Sequence, residues 1–213
     1  MKRTTCKIFS DASFDHLTGK CGYGVAIVLR DLCILKYGSI RGAKSSCEAE
    51  MLAAKKGIDY LNTKEFHKLG RPVTKVVLFS DNYCVRAVDQ ENTKTMQKWE
   101  RSPKEDRRRL LNIAKSMKAA CHKYARGCET WHIKGHTAGS GVENEAKNRK
   151  LEFHYNNWCD QSARKNLRYG LRGKKIIHCQ GFEDADKHQV AVPEGAFIAR
   201  KESLAQNLHA IED

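Results

Sequence analysis

No part of the sequence is apolar for long enough to form a membrane-spanning helix, which takes about 20 consecutive apolar residues. The amino terminus, MKRTTCKIFSD, passes from two basic residues directly into a strand-like run, without the apolar stretch of a secretory signal. We therefore expect a protein that has no membrane partner and is located in the cytoplasm.

The nine cysteines include no CxxC pair, and their number is odd. Zinc fingers and secreted disulfide frameworks both use cysteines at characteristic paired spacings, so neither is expected. Several of the cysteines lie inside apolar runs, which is typical of buried free thiols. This pattern predicts a reducing, intracellular compartment, and the chain contains no internal repeat or low-complexity run.

Acidic residues are in short supply, because 25 Asp and Glu stand against 39 Lys and Arg, with a formal net charge of +14 and a pI near 9.4. Such an excess of positive charge favours a polyanionic partner. The charge is concentrated in residues 94–126, a polar and helical stretch with eleven Lys or Arg and three Asp or Glu. A solvated helical face is the usual explanation of such a run.

Strand-like and helix-like segments alternate in an order that predicts a mixed α/β domain. The early strands are close enough in sequence to form an antiparallel meander, and the later strands follow helical crossovers. We expect a five-stranded mixed sheet, three antiparallel strands and then parallel ones, flanked by helices. The predicted elements are strands at 5–10 and within 21–40, a helix at 45–62, a strand at 75–80, a helical stretch at 94–126, a strand at 129–134 and a helix at 156–169.

The composition changes after Gly170. Residues 171–213 carry six basic and seven acidic side chains, whereas the first 170 residues have a net charge of +15. We therefore predict a main domain at 1–170 and a C-terminal extension at 171–213. Two strand-like runs and a short amphipathic helix lie in the extension, for which docking on the domain and binding a protein partner are both open. The protein is expected to be a monomer.

Asp11 and Asp81 follow the first and fourth predicted strands, at the carboxyl ends where mixed α/β sheets place their functional sites. If these strands are parallel neighbours, the two carboxylates meet. An Asp after a strand is also a common turn residue, and Asp81 is well placed as an N-cap for a helix beginning at Asn82. The residues alone leave both interpretations open.

Two further acids lie on the apolar faces of predicted helices. Glu50 shares its face with apolar side chains, whereas Glu48 lies on a polar face and is explained by a capping box with Ser45. A carboxylate on a buried face is costly unless a cation or metal pairs with it, so Glu50 is the functional candidate. Asp160 lies on the same face as Ala163. Four acids from four elements are therefore expected to converge.

Five short segments fall in order on the predicted elements, and together they resemble the ribonuclease H family. The resemblance covers roughly residues 5–170, and it is specific because all five segments match in sequence, although any one alone would be weak. It implies a ribonuclease H-like fold. The segments are SDAS at 10–13, EAEMLAA at 48–54, FSDN at 79–82, HIKGHT at 132–137 and NNWCDQSAR at 156–164.

The resemblance implies an endonuclease that hydrolyses the RNA strand of an RNA·DNA hybrid. Metal-ligand roles then fall to Asp11, Glu50, Asp81 and Asp160, whose hard oxygen atoms suit Mg²⁺ or Mn²⁺ and not zinc. Two such ions would activate a water and stabilise the leaving oxygen. His136, in the KGH motif, is implied to assist proton transfer or product release.

Contacts to nucleic acid are implied as well. One group lies in or beside the matching segments: Ser13, Ser46, Asn82 and Asn156. A second group lies in the stretch 94–126, whose location matches the basic handle with which some family members hold the hybrid, and we favour binding over a solvated face. Its members are Lys98, Arg101, Lys104 and Arg107.

The sequence departs from the family at two places. Asp11 is followed by Ala12 and Ser13, where the family commonly has DGS and a Gly-rich turn. Between His136 and Asp160 lie 23 residues, more than in compact family members. We predict that the added segment, residues 138–155, forms a long mobile loop.

Three other functions are weighed against this one. Holliday-junction resolvases and other structure-specific nucleases use the same sheet and similar acids, but they are not expected to carry HIKGHT. A proofreading exonuclease would have a DxE pair on the first strand, where this chain has Asp-Ala-Ser. A catalytically silent domain that only binds nucleic acid is disfavoured because all four acids are present.

Overall fold

The computed structural model describes residues 4–30, 32–89, 93–133, 143–170 and 172–178, all within the first of two compact units, Met1–Phe182 and Glu183–Asp213. None of the described helices is long and apolar enough to cross a membrane. The strands are β1 (Thr5–Phe14), β2 (Cys21–Val28), β3 (Leu32–Ile40), β4 (Lys75–Ser80), β5 (Cys128–His132) and β6 (Gly173–His178). The helices are α1 (Ser46–Leu61), α2 (Lys64–His67), α3 (Thr93–Glu100), α4 (Glu105–Cys121) and α5 (Glu143–Tyr169), with a 3₁₀ helix at Tyr83–Val88.

The strands form one mixed sheet in the order β5-β4-β1-β2-β3-β6. The first three strands pair antiparallel, whereas β4 is parallel to β1 and β5 is parallel to β4. Because a parallel connection needs a crossover, α1 and α2 lie between β3 and β4 in the sequence. The predicted antiparallel meander followed by parallel strands is confirmed.

The sheet has a sixth strand beyond the five that were predicted. β6 pairs antiparallel with β3, from Tyr37 opposite Gly173 to Leu32 opposite His178. The edge of β3 would otherwise present a row of unpaired backbone groups, which β6 satisfies. Residues 173–178 belong to the segment that composition assigned to the C-terminal extension, and the division of the chain near residue 170 stays a prediction.

Helix α1 begins as the sequence predicts. The Ser45 side chain accepts a hydrogen bond from the backbone N–H of Glu48 (3.2 Å), and the Glu48 carboxylate accepts one from the N–H of Lys44 (2.9 Å). Arg109 of α4 donates two hydrogen bonds to the same carboxylate, at 2.6 and 3.0 Å. Glu48 therefore holds the start of α1 and joins it to α4.

The last helix is longer than expected. Residues 138–155 were predicted as a mobile loop, but the structure has residues 143–155 in α5, which runs without interruption to Tyr169. The segment is polar, yet it is rich in Glu, Ala, Lys, Arg and Leu, which have high helix propensity, and polarity alone was a poor guide. An ion pair of 2.9 Å between Glu152 and Lys7 joins the middle of α5 to β1.

Two glycines of β2 allow α5 to lie against the sheet. A Cβ atom at Gly22 would overlap the backbone of Ala163 and Leu167, and one at Gly24 would overlap the backbone of Cys159. The next residue after Gly24, Val25, lies on the opposite face, where it contacts α1 near Gly57. The sheet is thus covered on both faces, and α5 is brought close enough to deliver its side chains to the end of β1.

The described cysteines are free thiols, and most of them are buried. This finding confirms the prediction of free thiols for those eight residues. Cys179 lies outside the described residues. The cytoplasmic location inferred from the cysteines stays a prediction.

We predict that Gly24→Ala lowers the free energy of unfolding by about 1–3 kcal/mol, because the added methyl group overlaps the main chain of Cys159, which cannot move without shifting α5. Gly38→Ala is the matched control on the neighbouring strand, since the nearest atoms that its added methyl group meets belong to side chains, Tyr23 at 3.1 Å and Arg172 at 3.5 Å. Urea unfolding of both variants measures the difference. An equal loss in the two variants would contradict this account of α5 packing.

Candidate active site

Three acidic side chains meet at one end of the sheet. Asp11 comes from β1, Glu50 from α1, and Asp81 directly follows β4. One carboxylate oxygen of each lies within 4.8 Å of the others. Asp11 and Glu50 are each only 7% exposed, and Asp81 is half-buried. The structure therefore brings together three of the four acids that the sequence singled out.

The position of Asp11 differs from the one expected. It was placed at the carboxyl end of the first strand, but β1 continues to Phe14, and Asp11 lies inside it opposite Gly24 of β2. The parallel pairing of β1 with β4 ends earlier, at Phe9 opposite Phe79. Asp11 therefore lies beyond the parallel ladder, where the end of β4 leaves space for Asp81.

The N-cap role considered for Asp81 belongs to its neighbour. Asn82 caps the 3₁₀ helix, because its side-chain oxygen accepts a hydrogen bond from the N–H of Cys84 (2.8 Å). Its side-chain nitrogen lies 3.9 Å from the Cys47 sulfur as a weak donor. Asn82 thus has a structural role, and its predicted contact with nucleic acid stays a prediction.

Burial and neighbouring acidic charges disfavour the charged forms of Asp11 and Glu50. Burial raises the pKa of Asp11 to about 7, and the charges of Asp81 and Asp160 add to the rise. Burial also raises the pKa of Glu50 well above its usual value, with further contributions from Asp11 and Asp81. Oxygen Oε2 of Glu50 is buried and has no hydrogen-bond partner among the described residues. A bound cation would relieve all of these penalties.

Asp160 lies beside this cluster. Its charge contributes to the raised pKa of Asp11, so α5 brings it to the same end of the sheet. It does not belong to the group of three within 4.8 Å of one another, and its Oδ1 accepts a hydrogen bond of 2.7 Å from Arg164. The role of Asp160 as a metal ligand stays a prediction. His136 lies outside the described residues.

The residues predicted to contact nucleic acid differ in exposure. Ser46 is exposed at the start of α1, and Ser13 is half-buried in β1. Asn156 is buried in α5, and its side-chain oxygen has no hydrogen-bond partner among the described residues. Their roles stay predictions, and Ser46 is the one best placed to touch a partner at the surface.

The cations of the basic stretch, residues 94–126, fall into two groups: some are exposed to solvent, and at least one is paired inside the protein. Lys98, Arg101 and Lys104 are exposed, and Arg107 is half-buried at 3.9 Å from Asp106. Arg109, by contrast, is used inside the protein, where it pairs with Glu48 and donates to the carbonyl oxygen of Gly42 (2.9 Å). Part of this charge is therefore structural, whereas Lys98, Arg101 and Lys104 are exposed at the surface.

One residue near the acids was missed by the sequence analysis. His132, the first residue of HIKGHT, has its Nε2 atom 3.0 Å from the backbone oxygen of Asp81. Its ring stacks on Tyr83, with centroids 4.3 Å apart. The motif was noticed for its second histidine, His136, and the strand position of His132 was the available signal.

A mixed sheet with buried carboxylates gathered beyond its parallel strands defines a class of α/β proteins suited to bind divalent cations. The family model described as RNase H matches residues 3–168. The chain belongs to the ribonuclease H family.

The chain is also similar to solved structures. LC9-RNase H1, described as a type 1 RNase H with the type 2 active-site motif, is 12% identical, with 92% of this chain and 85% of that chain covered and a TM-score of 0.58. RNase H1 from the archaeon Halobacterium salinarum is 14% identical, with 77% and 98% covered and a TM-score of 0.49. The first likeness confirms the ribonuclease H-like fold. The curated proteins include no match to the chain.

We predict that Asp11→Asn melts at a higher temperature than the parent in chelator at pH 7. Asp11 has a folded pKa of about 7, above its ordinary 3.8, so the folded state binds the proton more tightly than the unfolded state does. The penalty on the parent is therefore absent below about pH 4 and grows as the pH rises toward 7, to at most about 4 kcal/mol.

Melting temperatures of parent and variant between pH 4 and pH 8 test this expectation. The advantage of Asp11→Asn should disappear at the acidic end, and Mg²⁺ should stabilise the parent more than the variant. Glu48→Gln is the control, and it should melt below the parent at pH 7 because it weakens the pair with Arg109. Equal melting of parent and Asp11→Asn at every pH would show that burial and the neighbouring charges do not penalise the Asp11 carboxylate.

Proposed function

We propose that the chain is an endoribonuclease that hydrolyses the RNA strand of RNA·DNA hybrids, with two Mg²⁺ or Mn²⁺ ions as cofactors. The observation that carries the proposal is the convergence of the buried Asp11 and Glu50 with the half-buried Asp81 in a chain of the ribonuclease H family. Family membership supports a nuclease, and the carboxylate cluster supports its dependence on metal.

The residues at the cluster fit a hard divalent cation. All the donors are carboxylate oxygens, the ligands that Mg²⁺ and Mn²⁺ prefer, and Oε2 of Glu50 is a buried oxygen that otherwise has no partner among the described residues. Asp11, Glu50 and Asp81 would hold the metal, with Asp160 beside them. When bound, the metal would supply positive charge to lower the pKa of a water and to stabilise a leaving oxygen.

The surrounding residues hold these carboxylates in place. The contact between His132 and the backbone of Asp81 supports the turn that follows β4. Arg164 orients Asp160 through a hydrogen bond within α5. Arg109 and Glu48 secure the start of α1, two residues before Glu50. His136 is proposed to assist proton transfer or product release.

The charge of the chain supports a nucleic-acid substrate. A net charge of +14 attracts a polyanion, and the exposed cations of α3 and of the turn before α4 offer contacts to phosphates. We propose that Lys98, Arg101, Lys104 and Arg107 hold the hybrid. Ser13, Ser46, Asn82 and Asn156 are proposed as contacts nearer the acids.

We predict that purified protein cleaves the RNA strand of a labelled hybrid with Mg²⁺ present and not in excess chelator, because the carboxylates lack an electrophile of their own. Double-stranded RNA, double-stranded DNA and a four-way junction should be cut much more slowly in the same assay. Rapid cleavage in chelator, or preference for the junction, would overturn the proposed function.

Paired variants test the assignment of the acids. Asp81→Asn should lower turnover by on the order of a hundredfold, since it removes a proposed metal ligand and loss of a residue that only supports a ligand already costs about 10–100-fold. Glu48→Gln should keep most of the turnover, since it affects a helix cap worth about 0.5–2 kcal/mol of stability. The reverse pattern would show that the cluster is not the catalytic site.

A further inference from the structure

A surface trough lies between α1 and the edge of the sheet formed by β2, β3 and the residues leading into β6. It has a volume of about 620 Å³, within the range of pockets that accept a group the size of a nucleotide. We call it the β3 trough. Six of its lining residues are Tyr23, Gly38, Arg41, Leu52, Lys56 and Arg172.

The trough is lined by cations, and no acidic side chain is among its described lining residues. Arg41, Lys56 and Arg172 are all exposed, and none forms a salt bridge to a described residue. Several cations around one concavity concentrate positive potential there, and the local attraction for an anion is greater than on a flat surface. Arginine in particular suits phosphate, whose oxygens it can contact in pairs.

The floor of the trough is open and partly apolar. Gly38 lies opposite Tyr23 in the β2–β3 pair, and a Cβ at Gly38 would lie 3.1 Å from the Tyr23 ring and 3.5 Å from the Arg172 side chain. Glycine therefore leaves space between the two strands and the cations. The half-buried side chains of Tyr23 and Leu52 form apolar walls beside the charges. This combination suits a phosphate that carries a sugar or base.

Two elements, helix α1 and the β1–β2 pair, connect the trough to the acidic cluster of Asp11, Glu50 and Asp81. Glu50 and Lys56 lie on the same helix, six residues or about 9 Å apart along its axis. Tyr23 pairs with Ala12, the residue next to Asp11. One strand of a duplex carries a phosphate about every 3.4 Å along its axis, so the axial separation of Glu50 and Lys56 corresponds to roughly three nucleotides.

We propose that the β3 trough binds backbone phosphates of the nucleic-acid strand that lies at the acidic cluster, a few nucleotides from the reacting phosphodiester. The proposal rests on the proposed function. It also gives the segment after α5 a part in binding, because Arg172 precedes β6 and is held beside the trough by the pairing of β6 with β3.

The test measures binding of a labelled RNA·DNA hybrid in chelator, where no cleavage occurs, over a range of salt concentrations. The trough variant combines Arg41→Gln, Lys56→Gln and Arg172→Gln. Each phosphate contact contributes about 0.9 to the slope of log affinity against log salt, so the slope should flatten by about 2 to 3. At low salt the affinity should fall at least tenfold.

The matched control combines Arg30→Gln, Lys64→Gln and Lys68→Gln. These three residues are exposed and do not line the trough, and their substitution removes the same amount of positive charge as in the trough variant. The control slope should change by less than one. Equal changes in the trough variant and the control would overturn the proposal, because they would show only an effect of net charge. Lys56→Gln, set against Lys68→Gln, gives the same comparison with single substitutions at exposed positions.

Two further arms separate the sources of phosphate and the two proposals. Adenosine monophosphate is titrated at constant ionic strength; if it binds the parent and not the trough variant while the hybrid slope is unchanged, the ligand is a free nucleotide and the proposal fails. The parent is also assayed for hybrid cleavage with Mg²⁺. Cleavage together with an unchanged slope in the trough variant overturns the trough alone, whereas absence of cleavage overturns the proposed function.

Discussion

Two nearly buried carboxyl groups, Asp11 and Glu50, lie beside a third, Asp81, and the cost of holding their charges together constrains the surrounding structure. Such a cluster persists only if the backbone holds its members rigidly or if a cation neutralises them. The pair between Arg109 and Glu48 holds α1, and the glycines of β2 admit α5. These contacts hold the carboxyl groups in position at this end of the sheet.

The acids could be predicted because their positions follow from local rules. The capping-box spacing from Ser45 assigns Glu48 to the helix cap, and this could be read from the sequence alone. The polar face expected for Glu48 was wrong, because Glu48 is as buried as Glu50 and its charge is paired with Arg109 of α4. The convergence of Asp11 and Asp81 needed only the assumption that β1 and β4 are parallel neighbours, and they are.

Other features depended on contacts between distant parts of the chain. Arg109 belongs to a run of cations, and its partner Glu48 is 61 residues away, so charge patterning could not separate it from cations free to bind a ligand. The pairing of β6 with β3 likewise joins segments far apart in sequence. The start of α5 was misjudged because polarity was given more weight than helix propensity.

The central claim is that Asp11, Glu50 and Asp81 together hold a divalent cation. Its most direct test is a Mn²⁺ titration followed by electron paramagnetic resonance, in which the signal of the free ion falls as the protein binds it. The parent and Glu48→Gln are predicted to bind Mn²⁺ alike, and Glu50→Gln is predicted to bind much more weakly. Unchanged Mn²⁺ binding by a folded Glu50→Gln variant would contradict the account.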